Sequence, residues 1–233
     1  MPVIPDRDID CGEIYEQARR ELIGLLQSSP AADLAAMVPA TPAWSVHDVL
    51  SHLVGIAADL NAQAFDDDSD RWTAAQVESR ANHSLSELAA EWDREAPLFE
   101  DGLRVFGYDL GSHFVGDLLQ HVGDVRHALG LVHPADDETL AVALDSYFVT
   151  FEKSLEAAAT GSVEISDGRD RWALGSGPVV ASVTADRYEL FRSLGGRRSA
   201  AQVRALTWSG DLDAVMPAVS AYPMPEAPIV ELG

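Results

Sequence analysis

Apolar residues recur along the first two thirds of the chain at the three- and four-residue intervals of an α-helix, and in the last third at alternate positions. Spacing through Ile14, Ala18, Leu22 and Leu26 predicts a first helix over Cys11–Gln27 that stops at Ser28-Ser29-Pro30. A second, over Trp44–Leu60, opens with Ser45 as N-cap and Asp48 three residues on, an acidic variant of the capping box. Its apolar arc is Val46, Leu50, Leu53, Val54, Ala57 and Leu60, with His47 and His52 at opposite edges, and periodicity does not choose between the two histidines. Asp66-Asp67-Asp68-Ser69-Asp70 reads as a solvated loop without the spaced glycine and terminal glutamate of an EF-hand. Helix resumes over Trp72–Ala81 and Leu85–Phe106, with Leu85, Leu88, Trp92, Leu98 and Leu103 as core and Pro97 as a kink or break.

The next segment, Tyr108–Gly130, has the most informative pattern. At ~100° per residue, His113, Asp117, His121 and Asp124 fall within one arc of roughly 80°, with Gln120 at its edge. Phe114, Val115, Leu118, Leu119, Val122, Val125 and Leu129 fill the adjoining arc, so the ionisable stripe flanks the apolar one, where a half-buried site sits. A third arc carries Gly116, Gly123 and Gly130, expected where another backbone packs close by, and the helix is therefore expected to be interior. Asp117 and His121, spaced i,i+4, converge on one metal ion or one proton. A solvated polar face is the alternative, and a third ligand has to come from elsewhere.

Gly130 and Pro134 close this helix, and Asp137–Ala159 reads as a connecting helix. Val163–Ile165, Arg171–Leu174 and Val179–Val183 read as an antiparallel set around the turn Asp167-Gly168. A helix over Ala185–Leu194 ending in Gly195-Gly196, a strand over Val203–Trp208, a last helix over Asp211–Ala221 and an extended proline-spaced tail complete the chain. The fold class is α+β: a helical bundle over residues 1–135, a connecting helix over 136–159 and a small α+β domain over 160–233. There is no internal repeat, and Gly195-Gly196-Arg197-Arg198 lacks the Lys-Ser/Thr of a P-loop.

Composition narrows the partners. A net charge of −22 and a pI near 4.4 repel phosphate backbones and anionic headgroups, so neither nucleic acid nor a membrane surface is expected. The single cysteine, Cys11, excludes an intrachain disulfide and a cysteine-built zinc cage, and its acidic surroundings raise its pKa, which marks it as structural. The N-terminus MPVIPDRDID has no basic n-region or apolar h-region, and no apolar run approaches a transmembrane span, so a cytoplasmic protein is expected.

Three stretches, W44-S-V-H-D-V-L-S-H52-L, H121-V-G-D124-V-R126-H-A-L-G130 and the weaker E189-L-F-R-S-L-G-G-R197-R, together resemble the mycothiol-dependent maleylpyruvate isomerase family. The resemblance implies a DinB-like four-helix bundle followed by a sterol-carrier-like C-terminal domain. It also implies a divalent metal, usually zinc, held by a histidine of the second helix and a Glu-x-x-x-His pair of a later one. Carried over, the metal ligands are His52, Asp117 and His121, with aspartate where the family has glutamate, one methylene shorter. Asp124 is then a further ligand or an orienting group, Asp124 and His113 candidates to orient a ligand or move a proton, and Arg197 and Arg126 candidates to hold cofactor or substrate anions.

Two imidazoles and one carboxylate leave a position open on zinc, as in catalytic sites. A metal there depresses the pKa of a coordinated thiol or water. With no cysteine in the motifs the thiol comes from outside, and the resemblance implies mycothiol, acting on a small electrophilic substrate by cis–trans isomerisation or S-transfer. A metal-free small-molecule binder of the same fold and a metal-dependent hydrolase are the competing classes; the protein is expected to be a monomer or homodimer.

Overall fold

Local capping starts most of the helices. Ser45 accepts from the Asp48 amide while the Asp48 carboxylate accepts from the Ser45 amide at 2.8 Å, a complete capping box that opens α2 (Val46–Asn61). Ser84 and Glu87 form the same device at α4 (Leu85–Val105), and Asp68 caps α3 (Ser69–Arg80). With α1 (Cys11–Ser28) and α5 (Tyr108–Ala128) these make the helical part of the chain. The computed structural model describes residues 8–28, 34–133, 137–220 and 222–232. The N-terminal stretch MPVIPDRDID, the Ser29-Pro30 stop, Pro134 and Ala221, all read from sequence above, lie in whole or in part outside the described residues.

The chain forms two units, chiefly Asp8–His133 and Pro134–Val230, and the fold class is α+β as expected. In the first, α1, α2, α4 and α5 pack as a four-helix bundle and α3 lies on α2. The buried stripe of α1 runs through Tyr15, Arg19, Leu22 and Leu26, with Ile14 and Ala18 at its border. Arg19 is buried because its guanidinium meets Glu100 at 2.9 Å and Asp93 at 2.6 Å. Of the kink or break expected at Pro97 in α4, the break does not occur: the helix runs through it, Pro97 facing solvent. Leu98 is correspondingly exposed, and the stripe is Leu88, Trp92, Ala96, Phe99 and Leu103.

Every residue of α5 from Leu118 to Val125 is buried, so the helix is interior as its pattern suggested. Gly111 packs against Cys11, and an added Cβ would sit 2.6 Å from the Cys11 Cβ. Gly130 closes the helix as expected, without the close backbone packing also expected of its arc. Its φ is +67° with open space around it, and the bonds from Leu131 N–H to Arg126 O and from Gly130 N–H to His127 O make a Schellman stop.

In the second unit α6 (Asp137–Ala157) is no isolated connector; it packs on α7 (Arg187–Leu194) and on the sheet, burying Val142, Leu144, Phe148, Phe151 and Leu155. The strands are β1 (Ser162–Ser166), β2 (Arg171–Gly175), β3 (Val179–Thr184) and β4 (Thr207–Gly210), in the order β2-β1-β3-β4. The antiparallel set expected for the first three is corrected here: β1 pairs antiparallel with β2 but parallel with β3. The β2–β3 connection crosses the start of β1, where the Ser162 amide and hydroxyl donate to the carbonyls of Pro178 and Gly177. Gly161 and Gly175, both at positive φ, permit the crossing, since a Cβ on Gly175 would meet Gly161 O at 2.5 Å. Residues 203–206 are not strand, because Ser199 and Gln202 form a capping box that starts α8 (Ala200–Arg204). The last helix is shorter than expected: α9 (Leu212–Val215) passes into a single 3-10 turn over Met216–Ala218.

Candidate metal centre

Three side chains from two bundle helices converge: His52 from α2, and Asp117 and His121 from α5. One donor atom of each lies within 4.8 Å of the other two. His121 Nε2 is 3.9 Å from Asp117 Oδ1, and the rings of His52 and His121 meet edge to face at 5.2 Å. Two ligands at ~2.05 Å on a tetrahedral ion stand about 3.3 Å apart, so side-chain rotation of well under a rotamer step closes the set. The shorter aspartate therefore reaches the cluster. His52 and His121 are buried and Asp117 half-buried, so the cluster opens to solvent on the carboxylate side.

Each imidazole has an oxygen behind it, and that of His52 is hydrogen-bonded. His52 Nδ1 is 2.8 Å from Gln76 Oε1 of α3; Gln76 Nε2 donates to Asp59 at 3.0 Å, and Trp72 Nε1 donates to the same Asp59 oxygen at 2.7 Å. On the other ring, His121 Nδ1 lies 3.3 Å from Oδ2 of the fully buried Asp124, although it is not aligned for a hydrogen bond. In each ring Nδ1 faces an oxygen, leaving Nε2 for the cluster, the arrangement in which histidines ligate metals. Trp44 covers both rings at 5.2 and 6.2 Å; backbone bonds between Val38 and Trp44 and between Trp44 and Thr41 hold it there. Tyr15 of α1 is buried, and burial, followed by the negative charge of Asp117, pushes its phenol pKa up. Near Asp117 it stays a neutral hydroxyl.

The remaining sequence candidates stand apart from this set. His47, the other edge histidine of α2, bonds through Nε2 to the His83 carbonyl at 2.8 Å. His113 is exposed one helical turn before Asp117, its ring against Phe114. Arg126 donates through Nε to the Val132 carbonyl at 2.7 Å. Arg197 belongs to the second unit, where it is buried, donates to Gly195 O and lies over the Tyr222 ring. Cys11 is buried, and burial, reinforced by Asp10, pushes its thiol to about 11, so it supplies no thiolate near neutral pH. Gln76, Trp44 and Tyr15 were not assigned roles from sequence. The available signal was that α3 has no apolar stripe, its buried residues being Gln76 and Arg80.

Two imidazoles and a carboxylate gathered inside a four-helix bundle define a helical-bundle domain with a metal-type donor set. Residues 15–112 match the family model described as the mycothiol maleylpyruvate isomerase N-terminal domain, so the helical unit is similar to that domain over most of its length. The match contains His52 and ends before Asp117 and His121. Among solved structures, a mycothiol-dependent maleylpyruvate isomerase superposes with a TM-score of 0.53 at 15% identity, covering 87% of this chain and 93% of that one. A histidine-to-alanine mutant described under the same enzyme name superposes with a TM-score of 0.51 at 14% identity and the same coverage. At such identities the likeness concerns the fold. No curated protein matches the sequence.

Proposed function

We propose that His52, Asp117 and His121 hold one divalent metal ion, zinc in first place, and that the protein is an enzyme using mycothiol to isomerise, or transfer sulfur to, a small electrophilic substrate. The observation that carries this reading is the convergence of three donors with both Nδ1 atoms turned to oxygen partners. The similarity of residues 15–112 to the mycothiol maleylpyruvate isomerase N-terminal domain supports an isomerase with a thiol cofactor. The metal, when bound, supplies a Lewis acid that favours the deprotonated form of a coordinated thiol.

The chain's own residues do the rest. Gln76 holds the His52 plane, Asp124 lies 3.3 Å behind His121 Nδ1, and Trp44 covers one side of both rings. His113, exposed one turn from Asp117, is the group able to exchange a proton with solvent, while Arg126 and Arg197 remain candidates for an anionic carboxylate of thiol or substrate. The high pKa of Cys11 supports an external sulfur, and a reducing cytoplasm is the setting that keeps such a thiol available. Among the described residues no helix is long and apolar enough to cross a membrane.

The test is metal content after purification without added metal, followed by calorimetric titration of the zinc-loaded protein with mycothiol and with its oxygen analogue. Near-stoichiometric metal, strong preference for the thiol and proton release on binding are expected. Absence of metal points to a binding protein; indifference to sulfur together with turnover of an ester or amide points to a hydrolase.

A further inference from the structure

We infer that Gln76 is a positioning residue of the cluster, fixing the tautomer and plane of His52 through a hydrogen-bond chain that Gly55 makes possible. The inference deepens the metal reading above and rests on it only for its effect on metal affinity.

The chain of bonds has a defined direction. Asp59 is an acceptor for two donors, Trp72 Nε1–H and Gln76 Nε2–H, on the same oxygen. The amide presents its NH2 end to Asp59 and its Oε1 to His52. An oxygen acceptor 2.8 Å from His52 Nδ1 requires the proton on that nitrogen, and a neutral imidazole then carries its lone pair on Nε2. The orienting atom is a neutral amide, and the charge of Asp59 stands one amide further back.

Packing admits this chain at one place. An added Cβ on Gly55 would lie 2.6 Å from both Cβ and Cγ of Gln76 and 3.0 Å from Arg80 Nη1, so the absent side chain on α2 is the space Gln76 occupies. Gln76 is 1% exposed on a helix that is otherwise largely solvated. Arg80, the other buried residue of α3, donates to the Gln76 carbonyl at 3.1 Å and pairs with Glu91 at 2.6 Å. Polar anchors thus dock α3 on α2 through Asp59 and His52 and on α4 through Glu91, and one of them ends on a ligand of the cluster.

The first measurement needs no variant: in metal-free, nitrogen-15-labelled protein, two- and three-bond proton–nitrogen couplings report the His52 tautomer. The Nδ1–H form is expected; a predominantly Nε2–H imidazole overturns the inference. Gln76→Leu should shift that tautomer towards Nε2–H and weaken zinc binding, read by competition with a chromophoric chelator, by about 10–100-fold. Gln76→Met, which keeps the length of the side chain but puts no oxygen acceptor on Nδ1–H, should show the same shift and loss. Unchanged tautomer and affinity in Gln76→Leu, or wild-type behaviour in Gln76→Met, make Gln76 a packing residue. If wild-type protein binds no zinc, the metal reading falls while the tautomer still decides what Gln76 does to His52.

Discussion

Gly55→Ala separates two effects that usually travel together, because the helix it sits in gains while the helix beside it loses. Within α2 the substitution adds helix propensity of roughly 0.8–1 kcal/mol. The new Cβ, however, falls 2.6 Å from Gln76 Cβ and Cγ, where carbon atoms rest at ~3.5–4.0 Å, so α3 has to move out by about 1 Å. Overpacking of this kind costs about 1–3 kcal/mol, leaving a net destabilisation of roughly 0–2 kcal/mol. The same displacement stretches the Gln76–His52 bond from 2.8 Å to about 3.8 Å, beyond hydrogen-bonding range. The assay is urea unfolding with chelator present, beside zinc affinity on the folded protein. The expected result is a small stability change with zinc binding weakened about tenfold or more. A variant stabilised by the full propensity gain, with wild-type zinc affinity, would mean that α3 does not lie against Gly55 and would refute the packing argument.

His52→Ala should cost more metal affinity than the roughly 10–100-fold typical of a supporting residue, while His47→Ala, which breaks bonds to the His83 carbonyl and the Ser51 hydroxyl, should leave it near wild type; equal metal content in both variants removes His52 from the ligand set. Removing Arg19 as Arg19→Met leaves Glu100 buried without its cation and should cost about 3–5 kcal/mol, against ~0–1 kcal/mol for Arg20→Met in the exposed pair with Glu16; comparable chevron or urea shifts would contradict the burial of the first pair. Burial alone would raise the Asp167 carboxyl, but the amides of Asp170 and Arg169 and the Arg187 guanidinium hold it below its ordinary range. Its stabilisation is therefore full above the unfolded carboxyl pKa of ~3.9 and is lost as pH falls through the lower folded value, so Asp167→Asn should flatten the acid limb of stability against pH; parallel curves would exclude the pairing.

How far the sequence carried depended on the range of the interactions involved. Ser45 with Asp48 satisfies amides within four residues, so the start of α2 was readable from spacing alone. The equivalent pair Ser199 and Gln202 was equally local, and it was missed because the apolar residues after it, Val203 and Leu206, suggested a strand. Strand partners are another matter: alternation identifies β1 and β3 but carries no information about neighbours, and their parallel pairing depends on a connection passing Gly161 and Gly175. Family resemblance chose His52 over His47 where periodicity had left them equal.

The candidate site divides along the same line. Asp117, His121 and Asp124 share a face because 3.6 residues make a turn, and any helix with that spacing presents them together. Gln76 shares no face with them and belongs to a helix whose buried side chains are polar, so hydrophobic patterning gives it no weight. Its role arises only when α2 and α3 approach to within the space of one missing methyl group. A glycine in the middle of an apolar helix is costly by propensity, and that cost was the sequence's one indication that something packs against position 55. What it could not indicate was that the neighbour is an amide already bound to a carboxylate, and so able to present a single oxygen to the histidine.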